Sequence, residues 1–472
     1  MECIENRPFD EIEVGDSASL KRRLTMEDIK LFAIMSGDVN PAHVDEDYAK
    51  SSRFHEIIAH GMWGGALIST VLGTKLPGPG TIYLDQTLSF KHPVGLGDVL
   101  TVTVTAQEKQ ADNHRILFAC ECHDQDDNQV IVGKALVIAP TKKIKRPRAI
   151  LPEVHLCERA HLHRLLNAAK TFPAVTTAVV HPVQRESLLG AVEAATAGMI
   201  VPILVGPEKK IRQLAEAEGI DLKDYRIVPT EHSHAAAEQA VRLVHSGQAQ
   251  VLMKGSLHTD ELMRAVLNKA QGLRSDRRLS HVYVFDVPTY AQPLFITDAG
   301  INIAPGLEAM RDIIQNAIDL AHILQVRQPK VAILSAVETV DPKIPSTVVA
   351  AALCKMAERK QITGGLLDGP MAFDTAVSAA AAHSKDLDSP IAGQADILIV
   401  PDIEAGNMLA KQLEYLGGAE GAGIAVGARV PIVLTSRADD SITRMASCAI
   451  ALLMVHRGSQ SMGGQRHVAD GG

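Results

Sequence analysis

At 472 residues the chain is longer than one ordinary hydrophobic core supports, so two or three domains are expected. Apolar residues make up 46% and charged residues 22%, a balance that excludes wholesale disorder or a fibrous repeat. The net charge of −8 excludes general nucleic-acid affinity, and 6 scattered cysteines are too few for a disulfide scaffold.

The first residues, MECIENRPFDEIEVGD, are acidic and lack a basic stretch followed by an apolar one, so no secretory signal is expected and a cytoplasmic location follows. No run approaches the roughly 20 apolar residues that span a bilayer, so no membrane partner is expected. The first informative string is Ser36-Gly37-Asp38-Val39-Asn40-Pro41-Ala42-His43. Asn40 before Pro41 predicts a helix start, because Asn caps free amides and Pro already holds a helical φ. His43 then falls in the first turn, where added positive charge is disfavoured, and is expected to accept a proton. Asp38 lies just outside, so two titratable groups can converge on one water. Residues 61–72, GMWGGALISTVL, predict a buried helix by their length and small apolar content. Strands are predicted over 100–104, 115–122 and 130–138 from β-branched content and alternation. An antiparallel sheet around a central helix fits this order. Cys120 and Cys122 fall on one face of a strand and are expected to pack in the core rather than hold a metal.

The string around Asp38 resembles the D-x-N-P-x-H motif of MaoC-like, or R-specific, enoyl-CoA hydratases. Ala59-His60-Gly61-Met62, Ser69, Leu88-Ser89-Phe90-Lys91, Pro93-Val94 and Gly97-Asp98 follow in the order of that family, over roughly residues 8–140. The resemblance implies a hot-dog fold and syn hydration of an enoyl-CoA. It makes Asp38 and His43 the pair that activates water and returns a proton to the α-carbon. The amide of Gly61 would hold the enolate-like thioester oxygen, and Ser69 resembles a supporting residue near the substrate.

Residues 139–152, APTKKIKRPRAILP, are rich in Lys and Arg and broken by prolines, and predict a solvated linker. The expected division is a first domain over 1–140, a linker over 141–153, a second domain over 154–460 and a flexible tail over 461–472.

Beyond the linker, short apolar runs alternate with Ala/Glu/Leu helices, which predicts an α/β domain with a largely parallel sheet. Strands over 174–180, 203–205, 250–253 and 397–400 each end in a turn signal, and ligands in such sheets sit beyond strand carboxyl ends. Three strings carry small, polar or cationic residues there: Met253 to Thr259, Thr297 to Pro305 and Val433 to Asp439. Glycine admits a close ligand, hydroxyls and amides donate to phosphate oxygens, and arginine clamps phosphate. Gly-x4-Gly-Lys-Ser/Thr is absent and Gly418 to Gly423 lacks the Gly-x-Gly-x-x-Gly spacing, which demotes nucleotide hydrolysis and dehydrogenation.

These strings resemble the phosphate acetyltransferase/phosphate butyryltransferase family over roughly residues 155–457, with Asp368-Gly369-Pro370, Phe373-Asp374, Ala392 to Asp396 and Pro401 to Asn407 as further matches. The resemblance implies a two-lobed α/β fold and the exchange of an acyl group between CoA and phosphate. Arg437 would hold the acyl phosphate and Ser436 would hydrogen-bond at the reacting carbonyl or thiol. Thr259 and Arg264 resemble phosphate-side residues, His258 is a further candidate to touch phosphate, and Asp298 and Asn302 are expected to line the substrate site. Where acetyltransferase relatives carry an aspartate seven residues after the serine, this chain has Thr443, so the base for the thiol is open. TDAGINIAP and SRAD are more like the butyryltransferase branch, which leaves acyl length open.

The expectation is a bifunctional, multidomain α/β enzyme acting on small-molecule CoA thioesters and phosphate. No tightly bound cofactor or metal is expected, and the family resemblance implies a homo-oligomer. Two other readings stay open: a transferase whose first domain only binds thioesters or mediates assembly, and a non-enzymatic acyl-CoA sensor.

Overall fold

The structure, a computed structural model, describes residues 3–149, 151, 154, 156, 160–434 and 441–465. The chain divides into two compact units, Met1–Leu156 and Cys157–Gly472.

The first unit is a hot-dog fold. Its five-stranded antiparallel sheet runs in the order Ser17–Arg23, Val99–Gln110, Arg115–His123, Gln129–Ile138, Ile82–Phe90. Alternation along Val99–Gln110 sends Leu100, Val102, Val104 and Ala106 into the core. The helix Gly61–Thr74 lays Trp63, Leu67, Ile68, Val71 and Leu72 against that face. Each such side chain, fully buried, contributes about 1.5–3 kcal/mol. Cys120 and Cys122 are in this core, and burial pushes their thiols up to about 11 and about 12. Gly133 is required where the outer strand crosses its neighbour, since a Cβ there would lie 1.9 Å from the Thr87 carbonyl oxygen.

Two details differ from the expectation. The strands Ser17–Arg23 and Ile82–Phe90 close the two edges of the sheet; Ala18 and Leu20 alternate toward the core but stay only partly buried, and Ile82–Phe90 is largely exposed, because edge strands meet solvent on more than one side. Part of the expected linker is ordered, since Lys145–Pro147 pairs antiparallel with Cys3–Glu5, and Lys143 bridges Glu11 at 2.6 Å.

The second unit is built on one eleven-stranded sheet. Strands Arg226–Pro229, Ile200–Gly206, Val175–Val180, Val251–Lys254 and Ile432–Val433 are parallel neighbours. Strands Leu294–Thr297, Ile397–Ile399, Lys330–Leu334 and Leu366–Met371 form a second parallel block. Glu420–Val426 and Ser280–Asp286 join the blocks by three successive antiparallel pairings. An odd number of reversals makes the blocks run opposite ways, so their carboxyl ends face opposite edges of the sheet. One face carries a single continuous core, while the other carries two separate clusters, one around Ala236, Leu252 and Leu262 and one around Phe285, Leu398 and Ala410. This is the two-lobed arrangement. Among the described residues no helix is long and apolar enough to cross a membrane.

Candidate functional sites

In the first unit, Thr25 opens the helix Met26–Ser36 with a reciprocal capping box to Asp28, and Gly37 ends it in the left-handed region at φ 76°. The chain then turns through Asp38 to Asn40, whose side chain accepts from the Ala42 amide and starts the single turn Pro41–Val44. That turn carries His43. Its Nδ1 lies 2.9 Å from the Ile58 carbonyl oxygen, so Nδ1 bears the proton and Nε2 is left as the accepting nitrogen. Asp38 is exposed, and its Oδ1 accepts from the Asn40 amide at 3.1 Å.

His60, at the N-cap of the central helix, completes the cluster. Asp38, His43 and His60 each present a ligand atom, and the three atoms lie within 4.8 Å of one another. The rings of His43 and His60 lie 4.0 Å apart with a 34° tilt.

A cavity of about 270 Å³ opens beside this cluster, lined by His43, Ile58, His60, Gly61, Trp63, Phe90, Val94 and Ile131 among others. Gly61 is the first residue of its helix, so its amide has no intrahelical acceptor and stands at the positive end of the helix dipole. A Cβ on Gly61 would meet the Phe90 ring at 3.3 Å, which would narrow the cavity. Ser69 is exposed two turns along the helix and does not line the cavity.

In the second unit, the strand Val251–Lys254 leads into Gly255, where a Cβ would stand 2.3 Å from the Val180 carbonyl oxygen. This close approach lets Ser256 reach the Ser187 hydroxyl at 2.7 Å. His258 is the exposed N-cap of the helix Thr259–Val266, with half-buried Thr259 as its first residue. Arg264 is exposed at the other end, 3.9 Å from Asp260. Five residues along a helix place it about 140° round the axis from Thr259, so the structure does not bring these two side chains together. Glu261 accepts from Ser233 Oγ at 2.5 Å, and that bond holds its carboxyl below the usual range. Burial lowers the nearby imidazole of His181, and the Lys210 charge adds to the effect.

Asp298 and Asn302 are buried, and they lie in the block that runs the other way. Asp298 accepts from the amides of Gly300, Ile301 and Asn302 and from Asn302 Nδ2 at 2.5 Å. Asn302 also donates to the Leu279 carbonyl oxygen and accepts from Arg278 Nε. Their polar groups are spent on shaping their own loop, and they do not join His258 and Thr259 at one strand edge. Ser436 and Arg437 lie outside the described residues, as do Asp439 and Asp440. A separate cavity of about 380 Å³ beside the helix Ala160–Ala169 is walled mainly by apolar side chains such as Leu162, Leu165, Phe295 and Leu453.

Comparison with known proteins decides the ancestry. Residues 233–452 match the family model described as phosphate acetyl/butaryl transferase, and residues 11–121 match the MaoC like domain. The phosphate acetyltransferase of Rhizobium meliloti is 60% identical over 294 residues, covering 62% of this chain and 93% of that protein. The chain belongs to the phosphate acetyl/butaryl transferase family. Ahead of the transferase unit it carries a fused MaoC-like unit. A branched-chain phosphotransacylase from Enterococcus faecalis matches the transferase unit with 32% identity and a TM-score of 0.52, covering 60% of this chain and 99% of that one. An R-hydratase from Pseudomonas aeruginosa is 44% identical, covers 33% of this chain and 99% of its own, and has a TM-score of 0.32.

The residue that sequence reading left without a role in the MaoC-like unit is His60. Its signal was present as the His-Gly pair at the helix start, yet only the fold brings it against Asp38, 22 positions away. In the transferase unit the unassigned group is His281, buried beside Asp298, with an Nδ1 that has no hydrogen-bond partner.

Proposed function

We propose that the protein is a bifunctional acyl-CoA enzyme. Its MaoC-like unit hydrates trans-2-enoyl-CoA to (3R)-3-hydroxyacyl-CoA, and its transferase unit reversibly passes an acyl group between CoA and phosphate. The observation that carries the first activity is the meeting of Asp38, His43 and His60, of which His43 and His60 line a cavity together with Gly61. In this reading Asp38 and His43 take a proton from water as its oxygen bonds to the β-carbon. The π electrons move onto the thioester oxygen, where the Gly61 amide and helix dipole stabilise the charge in place. The proton then returns to the α-carbon, so that one water is added in all. A fixed donor in a water-poor site loses little to reorganisation.

The second activity is supported by the 60% identity to a phosphate acetyltransferase, which makes acetyl the first acyl group to test. Ser436 and Arg437 are the proposed reacting pair, with Thr259 and His258 on the phosphate side. CoA and phosphate are substrates rather than resident cofactors, and a cytoplasmic setting, where CoA thioesters are handled, belongs to the same reading. Self-association is also proposed. The edge strand Ile82–Phe90 pairs with one neighbouring strand and exposes Ile82, Leu84 and Phe90, which is a surface a second copy can extend.

One experiment tests both activities. The purified chain is assayed with C2 to C8 acyl-CoAs plus phosphate and with crotonyl-CoA plus water, alongside Asp38→Asn and Arg437→Ala. Each substitution is expected to abolish one activity and spare the other. Loss of both activities from either variant, or neither activity in the wild type, would defeat the reading.

A further inference from the structure

His60 occupies a position where a side chain ordinarily caps its own helix. Here it makes no capping bond to Gly61–Thr74, and is turned toward the loop that carries Asp38. Its Nε2 lies 2.9 Å from the Asp38 carbonyl oxygen, which fixes the proton on Nε2. Nδ1 is buried and without a partner, and the residue is only 3% exposed. The ring is clamped between Phe32, at 4.9 Å, and His43, at 4.0 Å.

Two consequences follow from this one side chain. By declining the capping role it leaves the first amides of the central helix to a ligand. By gripping the Asp38 carbonyl it fixes a residue that is otherwise exposed and held locally only through its own carboxylate and the Asn40 amide, and through Ser36 Oγ at its own amide. The bond at the carbonyl fixes the backbone of Asp38 and the bond from the Asn40 amide fixes one carboxylate oxygen, so the two together restrict where the carboxylate points. The His43 ring, held through Nδ1 at the Ile58 carbonyl oxygen, packs against the same imidazole, so His60 borders both proposed reacting groups.

We propose that His60 is a positioning residue for hydration, holding the Asp38 carbonyl and backing the His43 ring so that both reach one water. The proposal rests on the hydratase reading above. The shape of the cavity itself does not depend on His60 alone, because Trp63, Phe90, Val94 and Ile131 also line it. Substrate binding should therefore survive while turnover falls.

The test uses the full chain with crotonyl-CoA. His60→Phe keeps a flat ring against His43 but removes the donor, whereas His60→Gln keeps an N–H donor and removes the ring. His60→Phe should lower kcat by about 100-fold, the scale on which a misplacement of about 1 Å acts, with KM changed less than about threefold. His60→Gln should recover about tenfold of that loss. Melting followed through Trp63, the chain's single tryptophan, checks that the unit remains folded; His60→Leu, which also lacks a donor, replaces His60→Phe where it does not, and His60→Asn, which keeps one, replaces His60→Gln. A kcat within threefold of wild type in His60→Phe, a KM-only effect, or no recovery in His60→Gln would overturn the proposal while leaving the hydratase reading intact. A wild-type chain unable to hydrate crotonyl-CoA would remove both.

Discussion

The two units each place an aspartate beside histidine, with opposite results. In the MaoC-like unit Asp38 is exposed, uses one oxygen on a neighbouring amide, and lies within reach of His43 and His60. In the transferase unit Asp298 is 2% exposed and accepts four hydrogen bonds from its own loop, while His281 beside it is 4% exposed. Burial pushes that imidazole down to about 4, against the opposing pull of the Asp298 carboxylate. Residue type does not separate these pairs; what separates them is how much hydrogen-bonding capacity the fold has already used. A carboxylate with spare capacity can move a proton, and one whose donors are all internal holds a loop.

The sharpest break of this comparison is a pair of substitutions. Asp38→Asn should cut crotonyl-CoA hydration by about a thousandfold, the middle of the range for a lost general base, and leave the unfolding free energy from urea titration within about 0.5 kcal/mol of wild type. Asp298→Ala should do the reverse to stability. It strands the buried amide and side-chain donor of Asn302 and the partly exposed amides of Gly300 and Ile301, and should cost the transferase unit about 2–4 kcal/mol, read by far-UV circular dichroism during urea unfolding. If Asp298→Ala kept its stability and lost only acyl transfer, Asp298 would be a substrate ligand after all.

How much of this was legible in the sequence follows from the same contrast. The predicted helix over 61–72 and strands over 100–104, 115–122 and 130–138 correspond to Gly61–Thr74, Val99–Gln110, Arg115–His123 and Gln129–Ile138, because burial on one face imposes a period. Ser17–Arg23 and Ile82–Phe90 escaped because edges carry that constraint only in part. Asp38 and His43 are five residues apart across one turn, so local rules suffice to bring them near. His60 reaches Asp38 only through the wrapping of the sheet about the central helix, and nothing local announces it. In the transferase unit the strand ends were readable, but the direction of each strand was not. Apolar runs look alike in parallel and antiparallel pairing, so Asp298 and Thr259 seemed neighbours although their strands run opposite ways.

The buried histidine gives a pH test of intermediate size. The folded value of His281 lies below the ordinary value near 6.5, so the unfolded chain binds the extra proton first as pH falls. Its contribution to stability is complete above about 6.5 and is lost progressively as pH drops toward about 4. His181, lowered by burial in the same unit, acts in the same sense. Urea midpoints of the transferase unit should therefore fall between pH 7 and pH 5, and His281→Asn should flatten that slope without reversing it. An unchanged slope would mean that His281 is not held neutral by burial.

The smallest effect probes what holds the Asp38 loop from upstream. Thr25 caps the helix Met26–Ser36 through the Asp28 amide at 3.1 Å, and Asp28 returns a bond to the Thr25 amide. Thr25→Ala should cost about 1 kcal/mol, measured through Trp63 fluorescence in urea. Gly37 separates that helix from Asp38, and the grip on the Asp38 carbonyl comes from His60 rather than from the helix. Hydration by Thr25→Ala should accordingly stay within about twofold of wild type, since the cap acts on the folded fraction and not on the geometry at the water. A fall in kcat as large as that of His60→Phe would instead place the control of Asp38 in the preceding helix.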